Sequence, residues 1–326
     1  MTGLSDSFQR PINYLRISVT DRCNMRCVYC TPAEGIELFH RDEILTFEEV
    51  LRIVEAASSL GISKVRLSGG EPLVRSGLAD FIAKLSRIQG IDDVSLTTNG
   101  LLLKENAAKL KEAGLRRVNV SLDSLRKDRF RAITRGGDLS KVLDGLEEAG
   151  RTGLHPVKIN TVVMRGVNDD EIVDFCLRSK DGWNVRFIEL MPMTRDEGKD
   201  KLITIAEIQK IIEKRMGKLQ PGPKIVGNGP AKYFRLENAS GTIGFISPVS
   251  EHFCFGCNRL RLTAHGKLCP CLLGEEEIDL KNPLRNGITD EALKEIIKEA
   301  ARSKPERHHL DCGIVAGVRC MSQIGG

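Results

Sequence analysis

The stretch Leu15-Arg16-Ile17-Ser18-Val19-Thr20-Asp21-Arg22-Cys23-Asn24-Met25-Arg26-Cys27-Val28-Tyr29-Cys30 joins a short β-type run to a loop holding three cysteines spaced C-x3-C-x2-C. Three thiolates this close on a turn can hold three irons of one cubane cluster, which normally takes four protein thiolates. No fourth cysteine lies nearby in the chain, so one iron keeps an open coordination site, as in catalytic rather than structural metal centres. The alternative is a structural zinc site completed by a distant residue, such as one of the six histidines.

Outward from this stretch, short β-type runs alternate with helical patterns, which predicts parallel βα units. The runs are Leu15-Arg16-Ile17-Ser18-Val19, Val65-Arg66-Leu67, Val94-Ser95-Leu96-Thr97, Val118-Asn119-Val120-Ser121, residues 157–163 and residues 185–190. Thr46 and Glu49 form a capping box, apolar residues follow at helical spacing, and Gly61 is placed to stop that helix. Further helices are predicted over residues 101–113, 139–149 and 205–216. Six such units form either a doubly wound sheet or an incomplete barrel, and periodicity does not choose. The pattern changes near residue 195, giving a core over residues 1–195 and an extension over 196–326 that includes a Gly/Pro-rich stretch at 221–230.

Composition sets the compartment. The 326 residues are 41% hydrophobic and 29% charged, which excludes low-complexity disorder. No run approaches the roughly 18 to 20 apolar residues of a membrane span, and the polar N-terminus lacks a signal-peptide core. A cytoplasmic protein is expected, and there ten cysteines imply ligation rather than disulfides. A net charge of +5 with only 5% aromatics argues against nucleic-acid binding.

A second group, Cys254, Cys257, Cys269 and Cys271, lies in Cys254-Phe255-Gly256-Cys257-Asn258-Arg259-Leu260-Arg261-Leu262-Thr263 and the segment after it. Spacing alone leaves a zinc ribbon and an iron–sulfur cluster equally open. Cys176, Cys312 and Cys320 stand apart and read as small buried residues. Charges inside parallel strands need a reason, because such strands are usually buried and apolar. Arg16, Arg66, Lys158 and Arg186 lie in strand runs, with Lys64 beside Arg66 and with Arg259 and Arg261 beside the second cysteine pair. Several cations converging on a barrel mouth fit a polyanion, since Arg forks suit phosphate oxygens. Such ligands are expected at the C-terminal ends of the strands.

The first cysteine loop, with Tyr29 before its last cysteine, resembles the radical S-adenosylmethionine (SAM) superfamily, as does Ser68-Gly69-Gly70-Glu71-Pro72 after the second strand. The second cysteine group, the segment Lys158-Ile159-Asn160-Thr161-Val162-Val163 and the terminal Gly325-Gly326 are similar to the GTP 3′,8-cyclase family of molybdenum cofactor biosynthesis. The resemblance implies an incomplete (β/α)6 barrel and two [4Fe–4S] clusters, on Cys23, Cys27 and Cys30 and on Cys254, Cys257 and Cys271. It assigns Tyr29, Gly70, Ser121 and Met191 to SAM. It assigns Arg16, Arg66, Thr97, Lys158, Arg259, Leu260 and Arg261 to GTP, with Lys64 and Arg186 as further lining. Cys269 departs from the family pattern and would compete for the fourth iron of the second cluster. Gly325 and Gly326 would reach into the site.

The implied reaction takes hydrogen from ribose C3′ of GTP with a 5′-deoxyadenosyl radical and closes the ring on guanine C8. The resemblance also implies a low-potential electron donor, a homodimer and hand-off to cyclic pyranopterin monophosphate synthase. Two other readings stay open, a radical SAM peptide maturase and a zinc-binding structural or nucleic-acid module.

Overall fold

The computed structural model describes residues 3–32, 34–191, 200–223, 225–227, 229–308 and 321–324. Its first six strands are β1 (Tyr14–Ser18), β2 (Lys64–Ser68), β3 (Asp93–Thr98), β4 (Arg117–Ser121), β5 (Lys158–Val163) and β6 (Asn184–Glu189). Helices α1 (Phe47–Ser59), α2 (Leu78–Leu85), α3 (Leu103–Glu112), α4 (Lys127–Thr134), α5 (Leu139–Arg151) and α6 (Ile172–Leu177) lie between them. The Thr46/Glu49 capping box opens α1, with Glu49 N–H donating to Thr46 Oγ1 at 3.1 Å.

All six strands pair in parallel and in chain order. This order decides between the two architectures. Crossovers between parallel strands are right-handed, so strands laid down in one direction put every helix on the same face. A doubly wound sheet would reverse direction at a switch point. One helix-covered face makes the sheet curl, and the result is the barrel type.

The later chain builds onto both edges of this core. After α7 (Ile205–Met216) come β7 (Gln220–Pro221), β8 (Lys232–Arg235) and β9 (Thr242–Ile246), and β9 pairs in parallel with β6. Then β10 (Arg259–Leu262) pairs in parallel with β1, and β11 (Lys267–Cys269) and β12 (Ile278–Asp279) follow as an antiparallel edge. The sheet therefore runs β12-β11-β10-β1-β2-β3-β4-β5-β6-β9-β8-β7, with β7 and β12 as its two ends. Helices α8 (Lys281–Arg285) and α9 (Asp290–Arg302) complete the extension, with a short α10 (Met321–Ile324) near the terminus. The expected boundary near 195 lies outside the described residues.

Side chains alternate across the sheet with period two. Leu15, Ile17, Val65, Leu67, Val94, Leu96, Val118, Val120, Val185, Phe187, Leu260 and Leu262 face the helices and form the main apolar core. The other face carries Arg16, Arg66, Ser95, Arg117, Asn119, Lys158, Arg186 and Arg261, most of them fully buried. A buried polar face of this kind requires partners, and it positions the site.

Candidate functional site

The first cysteine loop leaves β1 at its C-terminal end. Arg26 N–H donates to Thr134 O (3.1 Å) and Val28 N–H to Ile133 O (3.0 Å), which fastens the loop to the end of α4. On its other side the Gly69-Gly70 turn lies flat against residues 20–22, with Gly70 N–H donating to Thr20 O at 2.7 Å. A Cβ on Gly70 would stand 2.3 Å from Arg22 O, so only glycine fits. Glu71 and Asp123 are buried behind this loop. Glu71 accepts from Thr98 Oγ1 (2.8 Å) and from the N–H groups of Asn99 (2.6 Å) and Leu73 (3.0 Å), while burial pushes its carboxyl up to about 7. Asp123 accepts from Tyr29 Oη (2.7 Å) and Val162 N–H (2.8 Å), and burial pushes it up to about 6. Burial, then Asp123, Cys30 and Cys23, hold the Cys27 thiol well above its ordinary range. Ser121 closes β4 at the same end, and half-buried Met191 follows β6.

The second group stands at the opposite end of the strands. Tyr14 is level with Arg259 in the β1–β10 register, so Cys254 and Cys257, which precede Arg259, lie beyond the N-terminal end of β1. Cys269 is level with Arg261 in the antiparallel β10–β11 pair, and two residues further on Cys271 returns to the level of Arg259. This geometry separates the four cysteines of the group. Cys254 interacts electrostatically with Cys271 and Cys257, while Cys269 is buried one step inside the sheet with its thiol 3.9 Å from Glu277 Oε1. Burial pushes the Cys257 thiol up, but Arg259 and Lys304 overcome this and leave it lowered. Among the described residues no three Cys, His, Asp or Glu side chains meet around a single ion.

The two cysteine groups thus lie beyond opposite ends of β1. At roughly 3.3 Å per residue, the five residues of β1 separate the two cysteine groups by a channel of about 17 Å. Cations line its inner face from the level of Tyr14 to that of Ser121. Arg16, Arg66, Ser95 and Arg117 form one row, joined by Arg261 through β10. Thr97, Asn119 and Lys158 form the next, and Arg186 is level with Asn160. Lys64 sits at the start of β2 on the same face. Leu260 points away into the core, so its side chain is not part of the lining.

This lining is under electrostatic load. Burial, then Arg186, Arg117 and Arg66, pull Lys158 down to about 6. Burial, then Arg259, lowers Arg261 to about 10, and burial brings Arg186 to about 10. Arg66 Nε, Arg117 Nε and Nη1, Arg186 Nε and Arg259 Nε are buried without a hydrogen-bond partner. Repelling cations with orphaned donors are what a polyanion would satisfy.

Sequence reasoning passed over Arg117, whose Nη2 pairs with Asp93, and Tyr233, which hydrogen-bonds Arg186 and sits 5.8 Å from Lys158 Nζ. The period-two pattern from Asn119 and Ser121 would have found Arg117. Tyr233 had a weaker signal in Gly244, where a Cβ would collide with Arg186 and Tyr233 together. A cavity of about 300 Å³ bounded by Gly229, His252, Phe255 and Arg259 opens at this end. A larger surface cleft near Leu4, Leu60 and Arg302 shares no residue with either cysteine group. Gly325, Gly326, Cys312 and Cys320 lie outside the described residues, and Cys176 is buried in the core.

Residues 17–178 match the radical SAM superfamily, and residues 183–310 match Molybdenum Cofactor Synthesis C. The GTP 3′,8-cyclase of Pelotomaculum thermopropionicum is 52% identical over 326 residues, covering 99% of this chain and 100% of that protein. The GTP 3′,8-cyclase of Desulforamulus reducens is 52% identical, with 98% and 99% covered. That of Thermodesulfovibrio yellowstonii is 51% identical, with 99% and 100% covered. Among solved structures, SuiB of Streptococcus suis bound to S-adenosylmethionine superposes with a TM-score of 0.61 at 14% identity. It spans 91% of this chain, which covers 65% of SuiB, and the likeness is one of fold.

Proposed function

The chain belongs to the GTP 3′,8-cyclase family of the radical SAM superfamily, and from that premise we propose that it converts GTP to (8S)-3′,8-cyclo-7,8-dihydroguanosine 5′-triphosphate, the first step toward molybdopterin. Membership carries SAM and an iron–sulfur cluster with it. The residues present fit that cluster. Cys23, Cys27 and Cys30 share one loop within electrostatic reach of each other, and the raised Cys23 and Cys27 thiols call for the positive charge that irons supply. Cys254, Cys257 and Cys271 fit a second cluster, with Cys269 one step further into the sheet near Glu277.

When bound, the first cluster and SAM supply the radical that takes hydrogen from ribose C3′. The chain's own residues do the rest by position. Gly70 and Ser121 frame the SAM end. Asp123 holds the Tyr29 hydroxyl, so the loop carrying Cys27 and Cys30 keeps one orientation. Met191 closes the rim there. Arg16, Arg66, Lys158, Arg259 and Arg261, with Lys64, Arg117 and Arg186 beside them, receive the triphosphate, and Thr97 faces the sugar. Leu260 keeps the two β10 arginines on the channel side by anchoring their strand in the core. To Gly325 and Gly326 we also assign a role at the site, one for backbone without side chains. Residues 1–195 form the radical core, and 196–326 the extension that supplies the second group. A low-potential donor, a homodimer, a cytoplasmic setting and transfer of the product to cyclic pyranopterin monophosphate synthase complete the proposal. Among the described residues no helix is long and apolar enough to cross a membrane.

The observation that carries this reading is the channel itself, with a three-cysteine group at each end and unpartnered guanidinium donors between them. The test is anaerobic turnover of reconstituted protein with SAM, a strong reductant and GTP. Formation of the cyclised nucleotide with one 5′-deoxyadenosine each is expected. Failure with GTP, alongside turnover of a peptide substrate, would support the maturase reading instead.

A further inference from the structure

Two buried cations lie outside the channel and have no part in the reading above. Arg10 is 7% exposed, in the segment before β1. Its Nε donates to Asp6 Oδ2 (2.6 Å), its Nη1 to the carbonyl oxygens of Cys254 (2.8 Å) and Glu306 (2.7 Å), and its Nη2 to Pro305 O (2.7 Å). Asp6 is fixed in turn by the N–H groups of Phe8 and Arg10, both at 2.9 Å. Lys304 is 3% exposed and follows the end of α9. Its Nζ donates to Arg259 O (3.0 Å) and Pro270 O (2.6 Å), and it also hydrogen-bonds the Cys257 sulfur. Four residues on, the backbone N–H of His308 reaches the Cys254 sulfur.

Residues 304–308 thus thread between the two pieces of chain that carry the second cysteine group. Arg10 grips this segment by its carbonyls from one side. Lys304 reaches from it to the carbonyls beside Cys257 and Cys271 on the other. Among the described residues Lys304 has no carboxylate partner, although burying an ammonium without a counter-charge costs several kcal/mol. What its ammonium meets instead is the Cys257 sulfur. The first group differs here, since the charged groups acting on it are the carboxylates Glu71 and Asp123.

We propose that Lys304, held in place with residues 305–308 by Arg10, is a positioning residue for the second iron–sulfur cluster and serves as its counter-cation through the Cys257 sulfur. Hydrogen bonds to cluster sulfurs and nearby positive charge raise a cluster's reduction potential, and groups behind the ligands govern its retention. Lys304 therefore makes the second cluster easier to reduce and slower to lose iron. This rests on the second group holding a cluster at all.

The test uses the full-length protein reconstituted without oxygen, with Lys304→Met and Lys304→Arg compared with the unaltered chain. Iron content, the rate of iron loss to a chelator, and a redox titration followed by electron paramagnetic resonance are read. The titration is repeated with Cys23→Ala, Cys27→Ala and Cys30→Ala together, so that only the second cluster contributes. Lys304→Met should lose the second cluster's iron ~10-fold faster or more and move its midpoint to lower potential. Lys304→Arg should restore most of both, and SAM binding at the first cluster should not change. Should Lys304→Met fail to fold, Arg10→Lys is the second variant, with faster iron loss from the second cluster expected. About four irons in the unaltered protein instead of about eight would overturn the two-cluster reading, and this inference with it. Two clusters, with iron loss and potential unchanged in the variants, would overturn this inference alone.

Discussion

At one end of the channel Cys23, Cys27 and Cys30 sit against two buried carboxylates, Glu71 and Asp123, whose pKa values burial has raised. At the other end Cys254, Cys257 and Cys271 sit against Arg259, Arg261 and Lys304, and all three thiols there face positive charge. Two groups of three cysteines are thus embedded in opposite electrostatic settings. A zwitterion such as SAM brings its own cation and suits the acidic end. A triphosphate with roughly four negative charges suits the cationic end, where Coulomb repulsion among the arginines is relieved only when an anion arrives. On the proposed reading the two substrates take the two ends and the ribose lies between them.

Exchanging which group is disabled should break this contrast most visibly. Replacing Cys23, Cys27 or Cys30 by Ala is expected to lower 5′-deoxyadenosine formation by at least a thousandfold. Replacing Cys254, Cys257 or Cys271 by Ala should leave reductive SAM cleavage within a few-fold while abolishing the cyclised nucleotide. Chromatography of both products in one reaction measures this. Cyclisation persisting in the second set would mean that the C-terminal cysteines are structural.

A smaller effect with a sharper sign concerns Arg66. Its Nε is buried without a partner, a cost in the protein without nucleotide. Arg66→Met should therefore leave that protein at least as stable to heat. It should weaken GTP binding by about 10- to 150-fold, the worth of one charged hydrogen bond at roughly 1.5–3 kcal/mol. SAM affinity, set at the other end, should not move. Loss of thermal stability without loss of GTP affinity would make Arg66 an ordinary core residue.

The smallest effect is a proton. Lys158 is held near 6 by burial and by neighbouring cations, so at pH 7.5 it is largely neutral before GTP arrives. A bound triphosphate favours the charged form and raises that value, so binding takes up a proton in the window above about 6. Affinity then falls as pH rises through that window, until the raised value is passed. Calorimetry at pH 7.5 in buffers of different ionisation enthalpy should register close to one proton taken up per GTP, and Lys158→Met should remove most of it. Equal uptake in that variant would place the proton elsewhere.

Much of this architecture was legible because its signals are local. The Thr46 capping box, the glycine after α1 and the β-type runs each declare themselves within a few residues. The three short helices α2, α4 and α6, of six to eight residues, were too brief for a periodicity to register. The cysteines announced themselves by spacing, whereas their placement at opposite ends did not. That placement depends on β10 pairing beside β1 across more than two hundred residues of chain, and nothing local encodes it. Arg10 and Lys304 carried no signal at all. Each is an isolated charge in the sequence, and what distinguishes them is the set of distant carbonyls they reach.

The central claim, that the nucleotide's ribose is held between the two ends and faces the SAM end through C3′, is tested most directly by isotope transfer. GTP deuterated at C3′ is turned over once without oxygen, and the 5′-deoxyadenosine is analysed by mass spectrometry. One deuterium gained per 5′-deoxyadenosine, matched to cyclised product, is the expected result. Cyclised product formed alongside 5′-deoxyadenosine that carries no deuterium would contradict this placement of the substrate in the channel.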